Sequence, residues 1–231
     1  MGLFGQGVLE AFRLLLAGDP EVWQITWLSL QVSAGATALS LLVGVPLGAV
    51  LALARFPGRA LAVSLVNAGM GLPPVVVGLF VTIVLWRNGA LGFLELLYTP
   101  SAMVAGQFVI AAPIVTGLTL AAVQQVPEAF RLQMLGLGAS RGQMLWVLFK
   151  EARLPMLAAV MAGFGGVISE VGASMMLGGN IRGSTRVLTT ATVLETGKGN
   201  FDLAIALSVI LLLITFLVNW ALSFVQQRRR T

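Results

Sequence analysis

The residues able to do chemistry are few in this chain, and the most conspicuous of them is Glu170. It is the only charged residue between Leu154 and Gly178, and an ionised side chain at the centre of a bilayer costs about 3 kcal/mol or more. Either Glu170 acts in a path through the membrane, or it lies near the outer interface and caps a helix or pairs with an arginine such as Arg182. The sequence leaves both interpretations open.

The rest of the sequence offers no catalytic constellation. Histidine and cysteine are absent, which removes thiolate chemistry, disulfides and the commonest metal ligands and proton shuttles. No second carboxylate stands near Glu170. The phosphate-binding pattern G-x-x-x-x-G-K-[ST] is also missing, because Gly197 and Lys198 are followed by Gly199. We therefore expect a chain that is not an enzyme and that binds no cofactor of its own.

A secondary carrier or a channel for small anions remains an alternative. Carriers commonly couple transport through buried ionisable residues and contain internal repeats. This sequence offers one ionisable candidate, Glu170, and no convincing repeat. The basic residues lie at the ends of apolar runs and form no patch interleaved with aromatics, so nucleic acid is not an expected partner.

The elements that must position these residues are membrane helices. Of the 231 residues, 58% are hydrophobic and 10% are charged, and the mean hydropathy is +0.94. This composition is typical of an integral membrane protein. Uncharged runs exceed the roughly 20 residues that cross a bilayer, and they predict an all-α membrane protein with about five spans in a single domain, residues 1–231. The predicted spans are about 22–54, 61–86, 101–123, 156–177 and 203–226.

Local signals mark the ends and interruptions of these spans. Residues 3–17 predict an interfacial amphipathic helix, and the charges within them argue against a cleavable signal sequence. Asp19 and Pro20 predict the start of the first spanning helix. Pro73 and Pro74 predict a bend or break in the second span, either beside a watery cavity or as a packing kink.

Three further signals concern packing and connection. Gly44 and Gly48 form a small-xxx-small pair, which predicts a close approach by a neighbouring helix. Pro113 predicts a kink in the third span. Residues 179–202 are rich in polar side chains and predict a loop between the fourth and fifth spans.

The one long polar segment, residues 127–155, predicts ordered structure rather than a slack loop. Pro127 predicts the start of a short helix, and Gly138 marks an interruption. Ser140, followed three residues later by Gln143, predicts a capping box, in which the two side chains satisfy backbone N–H groups at the start of a second helix.

The distribution of basic residues between alternate loops predicts the orientation in the membrane. One side holds nine lysines and arginines and the other holds five, so the positive-inside rule places the first side in the cytoplasm. The N-terminus is then outside, while the C-terminus and the 127–155 segment are cytoplasmic. The nine are Arg55, Arg59, Arg131, Arg141, Lys150, Arg153, Arg228, Arg229 and Arg230; the five are Arg13, Arg87, Arg182, Arg186 and Lys198.

The 127–155 segment resembles a known element. Glu128-Ala129, Gly138-Ala139-Ser140-Arg141 and Leu154-Pro155 are similar to the cytoplasmic EAA loop in permease subunits of bacterial and archaeal ABC importers, although the acid and the Leu-Pro pair are displaced from the usual spacing. In that family the loop forms coupling helices that dock on a separate ATPase subunit. The resemblance therefore implies an ATPase-coupling role for Glu128, Gly138, Ala139, Ser140 and Arg141.

A second stretch narrows the resemblance. Residues 170–176, 178–181 and 185–190 resemble the molybdate, tungstate and sulfate permeases, and the sequence Leu188-Thr189-Thr190 is most like the tungstate type. The resemblance covers nearly the whole chain and implies the type I ABC importer permease fold. It also implies transport of a tetrahedral oxyanion, tungstate before molybdate, across the (inner) membrane of a prokaryotic cell.

The resemblance further implies an assembly. Two copies of the chain would line one path in the lipid bilayer, an extracytoplasmic binding protein would deliver the oxyanion, and two ATPase subunits would bind ATP and Mg²⁺ beneath the coupling helices. Small polar groups near the outer mouth would contact the oxyanion, whereas a carboxylate would hold the gate, since like charges repel. The implied residues of the translocation path or gate are Glu170, Gly172, Ser174, Asn180 and Arg182.

Overall fold

The computed structural model describes residues 3–228, and every regular element in that range is a helix. The all-α fold predicted from the sequence is therefore confirmed. Of the predicted cytoplasmic arginines, Arg229 and Arg230 lie outside the described residues. In chain order the helices are α1 (Leu3–Ala17), α2 (Pro20–Leu53), α3 (Arg59–Met70), α4 (Pro74–Leu85), α5 (Pro100–Gln124), α6 (Glu128–Gly136), α7 (Arg141–Ile168), α8 (Gly172–Gly178), α9 (Leu188–Gly197) and α10 (Phe201–Arg228), with a short 3-10 turn at Gly92–Leu94 before α5.

Within the described residues, four helices are long and apolar enough to cross a membrane, namely α2, α5, α7 and α10. A fifth crossing is available if α3 and α4 count as one bent span, in agreement with the prediction of about five. The start of α2 is also as predicted, because the Asp19 side chain accepts hydrogen bonds from the backbone N–H groups of Glu21 and Val22, each at 3.0 Å.

The most extensive helix pair in the fold is α2 with α5. Gly44 and Gly48 lie where the two helices cross. A Cβ on Gly48 would stand 2.6 Å from the carbonyl oxygen of Thr116 and 3.0 Å from the backbone nitrogen of Leu120, so the backbones approach more closely than a side chain permits. The close approach predicted from the glycine pair is confirmed.

The Pro73–Pro74 pair separates α3 from α4. Pro73 precedes α4, and Pro74 is its first residue, where the missing N–H costs nothing. The two helices meet at an angle of 104°, so the predicted break is confirmed. On one side of the break, α3 packs against α5, with Gly69 facing Pro113. On the other side, α4 packs against α8. The helix α5 runs through Pro113 as one element.

The fourth predicted span, 156–177, differs from the helices that form. The helix α7 begins at Arg141, continues through Pro155 and ends at Ile168. After a short break, α8 begins at Gly172. The helix starts well before the apolar run because the predicted capping box initiates it there, and hydropathy alone could not locate the break inside the uncharged stretch.

The predicted loop at 179–202 contains a helix, α9, and the prediction there is wrong. The backbone N–H of Leu188 donates to Ser29 Oγ at 2.8 Å, and that of Val187 donates to Thr190 Oγ1 at 3.1 Å. Because Ser29 belongs to α2, the acceptor for the N–H of Leu188 cannot be read from the sequence around α9. The helix contributes to a buried cluster that joins α1, α2, α9 and α10: Ala11, Val22, Ile25, Leu188, Ala191, Ala206, Leu207 and Ile210.

Charged groups collect at the two ends of α2. Glu21, in its first turn, contacts arginines of the loop 179–187, whereas Arg55, just beyond its last turn, lies 3.9 Å from Glu128. At about 1.5 Å per residue, the 34 residues of α2 separate the two groups by about 50 Å. That distance exceeds the roughly 30 Å thickness of the hydrocarbon core of a bilayer. The 179–187 loop and the segment around α6 therefore lie at opposite ends of the molecule.

Candidate functional site

The turn between α6 and α7 begins with a helix-ending motif. Gly138 has φ of +81°, the left-handed conformation that favours glycine. The N–H of Gly138 donates to the carbonyl of Leu135, and the N–H of Ala139 donates to that of Met134, both at 3.0 Å. This pair of hydrogen bonds is the Schellman motif. Another residue at 138 would strain the backbone, so the glycine singled out from the sequence has a conformational reason.

The same turn ends with a helix-starting motif. Ser140 Oγ accepts from the backbone N–H of Gln143 at 3.3 Å, while Gln143 Oε1 accepts from the backbone N–H of Ser140 at 2.8 Å. The predicted capping box is confirmed, and Arg141 is the first residue of α7. Ala139 completes the first motif and Ser140 begins the second, so the chain between α6 and α7 is held in one shape from both sides.

Large apolar side chains are exposed along this segment. Leu137 exposes 83% of its surface and Trp146 exposes 64%, and Lys150 Nζ lies 5.1 Å from the centre of the Trp146 ring. Arg141 is exposed as well. Exposed apolar surface bordered by charge typically marks a contact with another molecule.

Glu128 lies at the other end of α6 from this turn. It is the first residue of the helix, and its contact with Arg55, at 3.9 Å, joins two exposed side chains. An exposed ion pair of this kind contributes at most about 1 kcal/mol. Nine residues of helix, about 13 Å, separate Glu128 from the Gly138–Arg141 turn, so the structure does not bring all five predicted coupling residues together.

Glu170 is buried in the break between α7 and α8. Its Oε1 accepts from the backbone N–H of Ala173 at 2.7 Å and so satisfies a donor in the first turn of α8. Its backbone carbonyl accepts from Thr189 Oγ1 at 3.0 Å, which connects the break to α9. Of the two partners considered for Glu170, the structure shows the helix start; the pair with Arg182 is wrong, because that arginine binds Glu21 instead.

Gly172 and Ser174 hold α8 against its neighbours. A Cβ on Gly172 would stand 2.6 Å from Val75 Cγ2, so α8 approaches α4 closely. Ser174 Oγ accepts from Gln107 Nε2 at 3.2 Å, and both side chains are buried. Sequence reasoning missed Gln107, although an amide in the middle of the third uncharged run was the available signal. In this conformation Ser174 is closed off from solvent inside the subunit.

Asn180 and Arg182 lie in the loop 179–187, beyond α8. Asn180 has φ of +51°, and its Nδ2 donates to the carbonyl of Thr190 at 3.3 Å. Arg182 binds Glu21 through two nitrogens, with Nε 2.8 Å from Oε1 and a second nitrogen 2.5 Å from Oε2. Hydrogen bonding to Glu21 raises the pKa of Arg182 above its ordinary value. Arg182 thus faces a carboxylate of the chain itself.

A cleft of about 770 Å³ opens beside this ion pair. Glu195 is buried in its wall and accepts from Lys198 Nζ and Asn200 Nδ2, each at 2.7 Å. These hydrogen bonds, the one from Asn200 first, lower the pKa of Glu195. Among the described residues, no group of three or more potential metal ligands is placed to hold an ion. The charged residues bordering the cleft are Glu10, Asp19, Glu21, Arg182, Arg186, Glu195, Lys198 and Asp202.

The larger part of the chain matches a known family. Residues 44–231 match the family described as binding-protein-dependent transport system inner membrane component. The chain belongs to this family. Its membership confirms the resemblance to permease subunits on which the sequence interpretation relied.

Curated relatives of this inner membrane component extend along nearly its whole length. It is 37% identical over 229 residues to the tungstate uptake system permease protein TupB of Peptoclostridium acidaminophilum, covering 98% of this chain and 100% of that protein. It is 42% identical over 200 residues to a probable anion ABC transporter permease protein of Haloferax volcanii, covering 84% and 86%. Identity to the molybdenum transport system permease protein ModB of Escherichia coli strain K12 is 30% over 229 residues, covering 93% and 99%.

Solved structures of ABC transporters share the fold of this inner membrane component. The inward-facing MetNI methionine ABC transporter superposes with a TM-score of 0.73 at 19% identity, over 91% of this chain and 98% of that one. An amino acid ABC transporter crystallised with histidines gives a TM-score of 0.69 at 17% identity, over 94% and 98%. The predicted type I importer permease fold is confirmed.

Proposed function

We propose that this chain is the permease subunit of an ABC importer for a tetrahedral oxyanion, with tungstate as the preferred substrate and molybdate next. The observation that carries the proposal is the turn at Gly138–Arg141, which two capping motifs hold in one exposed shape. A family member that passes force to another subunit needs such a preformed contact. The relatives named for tungstate and molybdenum transport support the substrate class.

Energetics favour an ATP-driven mechanism over a passive one for this substrate. Moving a charge against a membrane potential costs about 2.3 kcal/mol per 100 mV, so a dianion entering a negative-inside cell costs about 4.6 kcal/mol before any concentration gradient. A passive pore would therefore conduct the oxyanion outward. Import therefore requires an energy source. The described residues of this chain contain no predicted motif that would supply it.

The proposed assembly contains two copies of this chain, two copies of an ABC ATPase that binds ATP and Mg²⁺, and an extracytoplasmic oxyanion-binding protein. The exposed Leu137 and Trp146 side chains and the exposed Arg141 would contact the ATPase. The loop 179–187, about 50 Å away along α2, would face the binding protein. This placement puts the N-terminus outside and the C-terminus in the cytoplasm of a prokaryotic cell membrane.

The residues of the path act in two ways in this proposal. Glu170, Gly172 and Ser174 set the position of α8, through a helix cap, a close contact with α4 and a hydrogen bond to α5. Asn180 and Arg182, on the loop that follows, would be polar groups at the outer mouth. Movement of α8 would therefore carry the loop with it, opening or closing the path.

Transport into vesicles tests the proposal directly. We expect tungstate to accumulate only when the chain, its ATPase, ATP and the loaded binding protein are all present, and we expect an ATPase variant unable to hydrolyse ATP to abolish accumulation. If vesicles containing this chain alone accumulated tungstate without ATP, a secondary carrier would replace the importer. Protease accessibility of tags on both termini tests the orientation, and two termini on the same side would contradict it.

A further inference from the structure

The two arginines of the loop 179–187 converge on one carboxylate. Arg182 donates to both oxygens of Glu21, and Arg186 reaches Oε1 of the same group from a second direction, with its terminal nitrogen at 3.4 Å. Planar guanidinium groups match carboxylates and tetrahedral oxyanions equally well, because both present paired oxygens with negative charge. The arrangement is therefore an anion site whose present occupant is a side chain of the protein.

Arg186 has a hydrogen-bond donor that Glu21 does not use. Its side chain is only 16% exposed, and its Nε is buried without a hydrogen-bond partner among the described residues. A buried donor without an acceptor is costly, so it marks a place where another acceptor atom would be stabilised. A carboxylate offers two oxygens, whereas a tetrahedral oxyanion offers four and carries a second negative charge.

The cleft gives a ligand access to this arginine pair and confines it there. Glu21, Arg182 and Arg186 all border the cleft. Acidic side chains on the other walls repel an anion, and several are already engaged: Asp19 caps α2, Glu195 binds Lys198 and Asn200, and Glu10 lies 3.6 Å from Arg13, while Asp202 adds a further negative charge. Lys198, the other cation on the cleft, is already paired with Glu195. The arginine pair is thus the most favourable position for an anion entering the cleft, and the surrounding acidic groups keep its binding weak, as a site on a transport path requires.

From these observations we infer that Arg182 and Arg186 form a binding site for a tetrahedral oxyanion dianion, and that Glu21 occupies this site until the oxyanion displaces it. The inference rests on the proposed function for its choice of ligand. Displacement also removes the ion pair that ties the loop to the first turn of α2, leaving the hydrogen bond from Gln24 Nε2 to the carbonyl of Gly183, at 3.0 Å. Binding of the substrate and release of the loop from α2 are then the same event, in which the oxyanion replaces Glu21 as the partner of the two arginines.

Equilibrium binding of tungstate to the full-length chain in lipid nanodiscs tests the exchange. Glu21→Gln removes the competing negative charge, so we expect it to bind tungstate at least about tenfold more tightly than the unmodified chain. The double variant Arg182→Gln/Arg186→Gln should lose binding. Arg87→Gln, which removes a positive charge from a different loop, is the matched control and should bind like the unmodified chain. Sulfate should compete with tungstate, and chloride should not.

Two results overturn the inference: Glu21→Gln binding no more tightly than the unmodified chain, or the double arginine variant retaining binding. If Glu21→Gln does not fold, Glu21→Asp, which keeps the charge but shortens the reach by one methylene, should still bind more tightly than the unmodified chain, and failure to do so also overturns it. The measurement uses neither ATPase nor binding protein. If the chain imports tungstate with ATP but Glu21→Gln does not tighten tungstate binding, this inference alone is contradicted. If Glu21→Gln tightens tungstate binding but the chain does not import tungstate, the proposed function alone is contradicted.

Discussion

The Glu170 carboxylate accepts a hydrogen bond from the backbone N–H of Ala173 at 2.7 Å, across the break where α7 ends and α8 begins. The same residue accepts from Thr189 through its backbone carbonyl. One acidic residue thus connects three helices, and its side chain contributes through an oxygen atom that a neutral amide also possesses.

The first prediction separates the oxygen of Glu170 from its charge. Glu170→Ala leaves a buried N–H without an acceptor and should lower the free energy of unfolding by about 1 to 3 kcal/mol. Glu170→Gln keeps an acceptor oxygen and should retain most of the stability. Thermal unfolding in detergent measures both, with Glu151→Ala on the exposed face of α7 as a control expected to change stability by less than about 0.5 kcal/mol. Equal loss in Glu170→Gln and Glu170→Ala would show that the negative charge itself is required.

The second prediction concerns the turn between α6 and α7. Ser140→Ala removes the capping hydroxyl and should destabilise the start of α7 by about 1 kcal/mol, whereas Ser140→Asp restores a capping oxygen. Arg141→Ala should lower ATP hydrolysis stimulated by the loaded binding protein about fivefold or more, as expected for loss of a contact worth ~1 kcal/mol. Capture of substrate by the binding protein should not change. Unaltered stimulation in both Ser140→Ala and Arg141→Ala would exclude this turn as the coupling contact.

The third prediction tests the crossing of α2 and α5. Gly48→Ala places a Cβ 2.6 Å from the Thr116 carbonyl oxygen and 2.8 Å from Thr119 Cβ, and such overpacking typically costs about 1 to 3 kcal/mol. Gly165→Ala is the matched control in α7, since its added Cβ meets nothing within 4 Å and alanine favours helix by up to about 1 kcal/mol. The ratio of folded to aggregated protein after heating measures the effect of each of the two substitutions. Tolerance of Gly48→Ala would mean that the two helices move apart easily.

The fourth prediction is a pH dependence at the cleft. The pKa of Glu195 is lowered in the folded chain, chiefly by the hydrogen bond from Asn200, so the ionised form stabilises the fold. That contribution is complete above the ordinary carboxyl pKa, about 4.3, and is lost as the pH falls through the lower folded value. Glu195→Gln should therefore be less stable than the unmodified chain near neutral pH, and the difference should shrink as acid protonates Glu195. Unfolding midpoints at a series of pH values measure this, and a difference independent of pH would contradict it.

Features that depend on neighbouring residues along the chain were predictable. The capping box at Ser140 and the helix start at Asp19 need only residues within one helical turn. The Gly44–Gly48 pair predicted a close crossing because small residues at that spacing line one face of a helix, although only the structure identifies α5 as the partner.

Features that depend on a distant partner were not predictable. The sequence predicts a loop where α9 forms, because the first N–H of this helix is satisfied by Ser29, 159 positions earlier. The sequence offers Glu170 two partners, a helix start and Arg182. The pair with Arg182 does not form because Glu21, from the far end of the sequence, binds that arginine. The buried Gln107 acquires its meaning only when α8 brings Ser174 to it.

The uninterrupted course of α7 has a mechanical consequence. From Arg141 to Ile168 its 28 residues form a rod about 42 Å long, with the Gly138–Ser140 turn at one tip and Glu170 just beyond the other. Pro155 removes one rung of the hydrogen-bond ladder midway, so compliance is concentrated at that point and the two halves are stiff. A displacement imposed at one tip is therefore carried along each stiff half, and bending at Pro155 sets how much of it reaches the other tip.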